Sequence, residues 1–235
     1  MPAKPPTQKR RPVHHRTSIG LQQREQTRAR IIHAAMAVFA EKGPDSPVVD
    51  DFIKAAGIAR GTFYNYFQTT RELLDATIDT LSDELIQAVE PVVAQMPNPV
   101  LRFATAARMY YRRATTDPLF GPFLSSVSGV GTLAAEHVQA DLGEALELGL
   151  IAVADVELAH AVAAGVMVFA LKSPKASSAG GDARGVEVVR AILAGLGVAR
   201  PLLNKALAVP LPAAPAVAEV PATRKKPRGK GKPDQ

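Results

Sequence analysis

The seven-residue segment "RGTFYNY" (60–66) concentrates side chains that suit contact with a nucleic acid. An arginine can pair bidentately with guanine, and an asparagine can pair with an adenine edge. Threonine and tyrosine hydroxyls can reach phosphate oxygens, and a glycine lets the backbone approach the duplex. A helical hairpin that only packs is the alternative. The candidate contact residues are Arg60, Gly61, Thr62, Tyr64, Asn65 and Tyr66.

The aromatic residues of this segment divide into two groups. Residues 63–67 hold four of the chain's aromatics, which total 8 Phe and 4 Tyr. On a helical wheel, Phe63 and Phe67 fall on the side that would anchor a short helix. Tyr64 faces the opposite side, and Tyr66 can bury its ring while its hydroxyl stays at the rim. The segment therefore predicts a helix with one anchoring and one outward face.

The elements that position this segment read as helices. Apolar residues recur at helical spacing from about Gln22 to Gly43, and a second short helix ends at Gly57. The third helix is predicted over 59–67, so helices two and three form a helix-turn-helix, whose second helix enters the DNA major groove. Thr69 and Glu72 have capping-box spacing for a fourth helix over about 70–95.

The remainder of the chain also predicts helices, and the fold class is all-α. Residues 173–185 read as a flexible loop, and the segment from Pro201 onward reads as a disordered linker. The longest apolar run, 161–171, is far shorter than the roughly 20 residues of a membrane span. The further predicted helices are 100–116, 120–128, 133–151, 155–172 and 184–197.

Charge is concentrated at the two ends of the 235-residue chain, whose net charge is +6. Residues 1–30 carry eight Lys/Arg and one Glu, and residues 219–235 carry six Lys/Arg and two acids. Basic ends of this kind suggest contact with a polyanion, and solubilising tails are the alternative. We hypothesise that residues 1–20 add phosphate affinity that is independent of sequence. The absence of Cys excludes disulfides and thiolate zinc sites and fits the cytoplasm.

The stretch "AAGIARGTFYNYFQTTRELL" (55–74) resembles the signature of TetR-family transcriptional regulators, and "TRARIIHAAMAVFAEKG" (27–43) is similar to that family's first helix. The resemblance implies a homodimer with an N-terminal three-helix DNA-binding domain and a C-terminal domain for ligand binding and dimerisation. It places DNA contacts on the six residues given above. Further candidates for DNA contact are Arg28, Thr70 and Arg71.

Three positions depart from the family pattern. Val48 replaces a Thr that caps helix two, so Ser46 before Pro47 is a possible earlier cap. Ala59 replaces the Ser/Thr cap of the recognition helix, and Thr70 replaces a frequent Lys that contacts phosphate. We expect Arg71 or the helix N-terminus to take over that phosphate contact.

The C-terminal body offers candidates for an effector pocket and a dimer interface, with plain core packing as the alternative for each residue. His137 and His160 have no metal-ligand spacing, so we predict neither a metal nor a cofactor. The pocket candidates are Phe103, Arg108, Tyr110, Tyr111, Phe123, His137 and Met167. The dimer candidates are Val186, Val189, Leu193 and Leu196.

These patterns predict a sequence-specific transcriptional regulator, a cytoplasmic, nucleoid-associated bacterial homodimer that releases its DNA operator when a small molecule binds, with helix four as the lever. The alternative is an architectural DNA-binding protein that is indifferent to sequence. The sequence has no G-x-S-x-G nucleophile motif, no P-loop, no G-x-G-x-x-G dinucleotide motif and no H-E-x-x-H motif, so an enzyme is not expected. The operator, the effector and the choice between repression and activation stay open. The predicted domains are 1–20 (basic arm), 21–67 (helix-turn-helix), 68–200 (ligand and dimer domain) and 201–235 (basic tail).

Overall fold

Every regular element is a helix in the part of the chain that the computed structural model describes, residues 14–126, 135–173, 176 and 181–213. The all-α prediction is therefore confirmed. The helices of these residues are α1 (His14–Lys42), α2 (Val49–Ala56), α3 (Arg60–Tyr64), α4 (Thr70–Val93), α5 (Pro99–Thr116), α6 (Phe120–Ser126), α7 (Ala135–Glu147), α8 (Val156–Lys172), α9 (Gly181–Gly195) and α10 (Arg200–Ala208).

The first helix is longer than its apolar pattern predicts. It begins at His14 rather than near Gln22, so residues 14–20 of the predicted disordered arm are helical. Residues 1–13 lie outside the described residues. Once a helix exists, each further residue adds a hydrogen bond without the cost of a new nucleus. A polar segment can therefore extend a helix although it has no apolar stripe of its own.

Two further helices occupy segments that were predicted to be irregular. α9 begins at Gly181, inside the predicted loop 173–185, and α10 lies inside the predicted disordered linker. Pro201 is the first or second residue of α10, where a missing N–H costs nothing. Leu203, Ala206 and Leu207 are buried on one face of this helix, so packing stabilises a segment whose Pro and Ala content suggested disorder.

The start of α2 shows how the chain compensates for a missing cap. The N-cap is Val48, not Ser46, so the predicted earlier cap is wrong. The Val48 backbone N–H donates to Asp51 Oδ2 at 3.0 Å, and Lys42 Nζ donates to Asp51 Oδ1 at 2.6 Å. The hydrogen bond from Lys42 is the main cause that lowers the pKa of Asp51. Asp51 therefore secures this helix start from the third position of the helix.

The predicted capping box at the start of α4 is confirmed with one difference. Thr69 Oγ1 accepts from the backbone N–H of Glu72 at 3.0 Å. The Glu72 carboxylate accepts from the backbone N–H of Gln68 at 2.7 Å, one residue before the cap. These two bonds fix the chain direction between α3 and α4.

The helices form an aromatic N-terminal group and a larger C-terminal group. α1, α2 and α3 pack around the rings of Phe39, Phe52 and Phe63, whose successive centroids are 5.0 and 6.3 Å apart. In the C-terminal group, α7, α9 and α10 pack around α5. α6 connects the groups because it packs on α1, with Phe123 6.3 Å from Phe39 between ring centroids.

Candidate nucleic-acid interface and cavity

The short helix α3 is held in place by its buried aromatic side. Phe63 and Phe67 are 0% and 2% exposed, and their ring centroids lie 6.2 Å apart. Both residues therefore have the buried position that an anchoring role requires. The helix ends at Tyr64 instead of Phe67. The Asn65 N–H is shared between the Gly61 and Thr62 carbonyls, and the Tyr66 N–H donates to the Phe63 carbonyl, so the final turn is tighter than an α-helical turn.

The opposite side of α3 and its final turn present polar groups to solvent. Tyr64 is 39% exposed, and Arg60 and Asn65 are exposed as well. A side chain at Gly61 would meet nothing within 4 Å, so the backbone is open to a close approach. We call Arg60, Gly61, Thr62, Tyr64, Asn65 and Tyr66 the α3 surface. The six predicted contact residues lie together there, and their contact with DNA stays a prediction.

Arg60 is held at the edge of this surface by a carboxylate from the preceding helix. Its Nη2 donates to Asp50 Oδ1 at 2.5 Å, and the two side chains are 58% and 69% exposed. This hydrogen bond is the main cause that raises the pKa of Arg60, and Tyr64 contributes. Sequence reasoning missed Asp50 because its partner lies ten residues away on another helix.

The first helix adds two cations beside the α3 surface. The guanidinium carbon of Arg24 lies 5.9 Å from the centroid of the Tyr66 ring, and that of Arg28 lies 5.7 Å from the Phe67 ring. Arg28 was a predicted contact residue, whereas Arg24 was not. The contacts place α1 beside the α3 surface, and a shallow groove runs between them.

The predicted contacts at the start of α4 occupy different environments. Arg71 is exposed, and its Nε lies 3.0 Å from Asp75 Oδ1 one helical turn later. Thr70 is partly buried. Arg71 is therefore the more available of the two for a phosphate.

A cavity of about 410 Å³ lies between α4, α5, α7 and α8. Of the predicted pocket residues, Phe103, Tyr110, His137 and Met167 line it. Ala107 and Ala163 widen its buried end because their side chains are small. The cavity is a proposed effector site.

Three predicted pocket residues, Arg108, Tyr111 and Phe123, do not line this cavity, and their contact with a ligand stays a prediction. Arg108 Nη1 donates to the Val209 carbonyl at 2.7 Å, and Tyr111 is fully buried. Phe123 packs against Phe39 of α1. α5 is surrounded by other helices, so neighbouring positions along it face different partners. The pattern identifies α5 as buried but does not identify the side that faces the cavity.

Six polar residues line the cavity, and the strongest pairing among them is made by Arg102; the others are Glu90, Tyr110, His137, Asp141 and His160. Arg102 donates to Asp141 at 2.7 Å, to Glu144 and to the Met96 carbonyl. The Tyr110 hydroxyl is different: it is buried and has no hydrogen-bond partner. Burial raises the pKa of Tyr110 far above its ordinary value, so the hydroxyl stays protonated.

Three of the four predicted dimer residues on α9 belong to the chain's own core, and the fourth, Val186, is partly buried and packs against that core. Val189, Leu193 and Leu196 are at most 1% exposed, so they are not available to a partner. Between α8 and α9, the large apolar side chains that are exposed lie on α8, where Leu158 is 46% and Phe169 77% exposed. Helical spacing identified a buried face on α9, and that face packs within the chain.

Neither a membrane span nor a metal cluster occurs among the described residues. None of their helices combines the length and the hydropathy needed to cross a bilayer. No three of their His, Asp or Glu side chains are grouped so that they could hold an ion.

Comparison with known sequences agrees with this helix-turn-helix geometry. The sequence profile of the family described as bacterial regulatory proteins, tetR family, matches residues 31–77. The uncharacterized HTH-type transcriptional regulator YvdT of Bacillus subtilis is 36% identical over 61 residues, 26% of this chain and 31% of that protein. The HTH-type transcriptional repressor KstR2 of Mycobacterium tuberculosis is 31% identical over 75 residues, 32% of this chain and 38% of that protein. These alignments span about a third of the curated relatives' lengths.

Comparison with solved structures extends the likeness to the C-terminal helices. The crystal structure of RolR in complex with resorcinol is 29% identical, with a TM-score of 0.61, and the match covers 82% of this chain and 98% of RolR. The ligand-free RolR structure also has a TM-score of 0.61, at 26% identity, and the match covers 78% of this chain and 98% of that one. The helix-turn-helix, the matched profile and the likeness along the chain agree: this chain belongs to the TetR family of bacterial regulatory proteins.

Proposed function

We propose that this chain is a homodimeric transcriptional repressor that binds an operator through the α3 surface and releases it when a small molecule fills the cavity. The observation that carries the proposal is the α3 surface itself, a polar, exposed face on a buried aromatic anchor. Arg24 and Arg28 lie beside it, where they can contact phosphates while α3 lies in the major groove. The predicted domain division and nucleoid-associated location remain part of this proposal.

The helices between the cavity and α1 supply a route for the response. Tyr110 in the cavity wall packs edge-on against Phe120 of α6, with 5.8 Å between ring centroids. Phe123 of the same helix contacts Phe39 of α1, and α4 both lines the cavity and follows α3 in the chain. A ligand that shifts α6 or α4 would therefore change the position of α3. RolR binds resorcinol, which supports a small-molecule effector for this chain.

We further propose that a second copy covers the exposed apolar face of α8 and α9. This face is lined by small and apolar residues, among them Gly165, Val166 and Ala191, with Phe169 projecting from it. The open space at Gly165 would let two helices approach closely. Dimer formation would set two α3 helices about one DNA turn apart, roughly 34–36 Å.

Selection of DNA from a random library tests operator binding. We expect the wild-type chain to enrich one motif with two half-sites and the variants Arg60→Ala and Tyr64→Ala to bind that motif at least about tenfold more weakly. Arg190→Ala, which removes an exposed arginine of α9, is the matched control and should bind normally. Enrichment of no motif, with affinity that follows salt alone, would instead identify an architectural DNA-binding protein.

Light scattering at micromolar concentration tests the dimer. The wild-type chain should have about twice the 24.9 kDa mass of one chain. Phe169→Glu should yield the monomer because it places a charge in an apolar interface. Leu148→Glu changes a leucine that is 59% exposed just after α7, and should leave the dimer intact. A wild-type monomer, or equal behaviour of the two variants, contradicts the proposed face.

A further inference from the structure

The size of the cavity between α4, α5, α7 and α8 limits the ligands that can fill it. Its volume is about 410 Å³, whereas a cavity of about 150 Å³ accommodates a single benzene ring. The space therefore corresponds to roughly two or three rings. The buried wall is apolar and is formed by Phe103, Ala107, Ala163, Met167 and Ile192.

The charges around the cavity do not favour an anionic ligand. Among the described residues that line the cavity, one is an arginine, Arg102. Its nitrogens already donate to Asp141, Glu144 and the Met96 carbonyl. The carboxylates of Asp141 and Glu90 also line the cavity. A ligand carboxylate would have to displace the Arg102 ion pairs or rely on His137 and His160 while it lies near the carboxylates of Asp141 and Glu90, and both arrangements are costly.

The Tyr110 hydroxyl supplies the polar requirement of the site. It is buried and has no hydrogen-bond partner, although buried polar groups are almost always paired. Tyr110 is one of the residues that line the cavity. Because solvent does not reach its hydroxyl, a bound ligand must shift the side chains around Tyr110 before a ligand oxygen can meet it.

We propose that the cavity binds an uncharged compound of two or three rings that carries one hydroxyl or carbonyl oxygen, and that this oxygen accepts a hydrogen bond from Tyr110. The apolar body fills the space beside Phe103 and Met167, and the single oxygen pairs the otherwise unpaired donor. The inference names the effector class and thus rests on the proposed function of the cavity. Binding and operator release are therefore measured separately.

Three biphenyls of matched size test the proposal by isothermal titration calorimetry on the full chain. Biphenyl-4-ol should bind about five- to tenfold more tightly than 4-methylbiphenyl, the range for one neutral hydrogen bond. Biphenyl-4-carboxylate should bind most weakly of the three. Tyr110→Phe should abolish the advantage of the hydroxyl compound. Tyr111→Phe, which removes a buried hydroxyl outside the cavity lining, is the matched control and should retain it.

The outcomes separate this inference from the proposed function. Failure of all three compounds to bind, tightest binding of the carboxylate, or equal binding of the hydroxyl and methyl compounds to wild type would overturn the inference. The wild-type ranking decides even if Tyr110→Phe does not fold. Ala163→Phe, which narrows the cavity, should prevent binding of biphenyl-4-ol, and unchanged binding would place the ligand elsewhere. Binding that leaves the selected DNA complex intact supports the inference and contradicts the ligand-responsive part of the proposed function.

Discussion

The α3 surface and the cavity hold their arginines in opposite ways. Arg60 is 58% exposed and paired with one exposed carboxylate, Asp50. Arg102 is 19% exposed and paired with two carboxylates of α7, Asp141 and Glu144. An exposed ion pair contributes little to stability, so Arg60 can exchange its partner for a base or a phosphate. A partly buried pair loses more when one member is removed, because Asp141, which is 19% exposed, would be left without its cation, so Arg102 is a fixed part of the wall.

The comparison indicates that each region is suited to a different kind of partner. The α3 surface offers polar groups that water solvates when DNA is absent, so a polar, charged partner can replace that water. The cavity offers an apolar wall in which one donor, the Tyr110 hydroxyl, lacks a partner. Five predictions can break or sharpen this contrast.

The largest effect is expected where the α3 surface meets its anchor. Phe63→Ala should destabilise the protein by about 3–5 kcal/mol, because Phe63 is fully buried between the rings of Phe52 and Phe67. Tyr64→Ala, on the outward side, should change the free energy of unfolding by less than about 1 kcal/mol. Chemical denaturation measures both. A large loss from Tyr64→Ala would mean that this side chain is structural.

Removal of either arginine tests the contrast directly. Arg102→Met should cost about 2–4 kcal/mol of stability, between the values for surface and buried pairs, because Asp141 and Glu144 lose their cation. Arg60→Met should leave stability nearly unchanged but should weaken operator binding about tenfold or more. Thermal unfolding and DNA titration of the two proteins give the comparison. Equal losses of stability would show that exposure does not distinguish the two pairs.

Deletion within the basic arm tests whether overall DNA affinity and preference for one motif come from different parts of the chain. Deletion of residues 1–13 removes four cations, Lys4, Lys9, Arg10 and Arg11. If all four of each protomer in the dimer neutralise phosphates, the slope of log K against log salt should become less steep by roughly 7, while the preferred motif stays the same. Binding titrations from low to high salt measure the slope. An unchanged slope would leave solubilisation as the role of the arm.

Asp50 tests whether the pairing of Arg60 orients it for one base. In Asp50→Asn the charged acceptor is lost, so the guanidinium should sample more directions. We expect discrimination at one base pair to fall by about 1–2 kcal/mol, with tighter binding overall because a negative charge near phosphates is removed. Binding to single-substituted operators measures the discrimination. A uniform change at every position would show that Asp50 acts only through its charge.

The helix-turn-helix could be predicted from the sequence because its signals are local. The apolar spacing of α1, the Gly57 turn and the Thr69–Glu72 cap each lie within a few residues. The ends of α3 and α1 were less accurate, since a tightened last turn and helix propagation leave no apolar signature.

The C-terminal site could be predicted only in part because periodicity identifies a buried face and not what covers it. Val189 and Leu193 lie on such a face, but the chain covers it by itself. Phe103 and Arg108 lie on one helix, yet only Phe103 reaches the cavity. Pairing across helices, as between Arg60 and Asp50, depends on tertiary geometry and has no signal in one sequence.

The smallest effect concerns the start of α2. Val48→Thr should stabilise the protein by about 0.5–1 kcal/mol, because its hydroxyl can accept the Asp51 N–H and complete a capping box, while Val48 is 61% exposed and loses little packing. Val48→Ala is the control without a hydroxyl. The new bond uses the Asp51 backbone N–H and does not depend on pH. The existing bond from the Val48 N–H needs the ionised Asp51 carboxylate, whose pKa the Lys42 hydrogen bond lowers, so its contribution should be present at pH 7 and lost in both proteins as pH falls through that lowered pKa. Thermal unfolding at pH 7 and at a pH below the lowered pKa separates the two contributions.

Because α2 is remote from the cavity lining, the affinity of Val48→Thr for biphenyl-4-ol should equal that of the wild type. A changed affinity would mean that the DNA side and the cavity are coupled even without DNA.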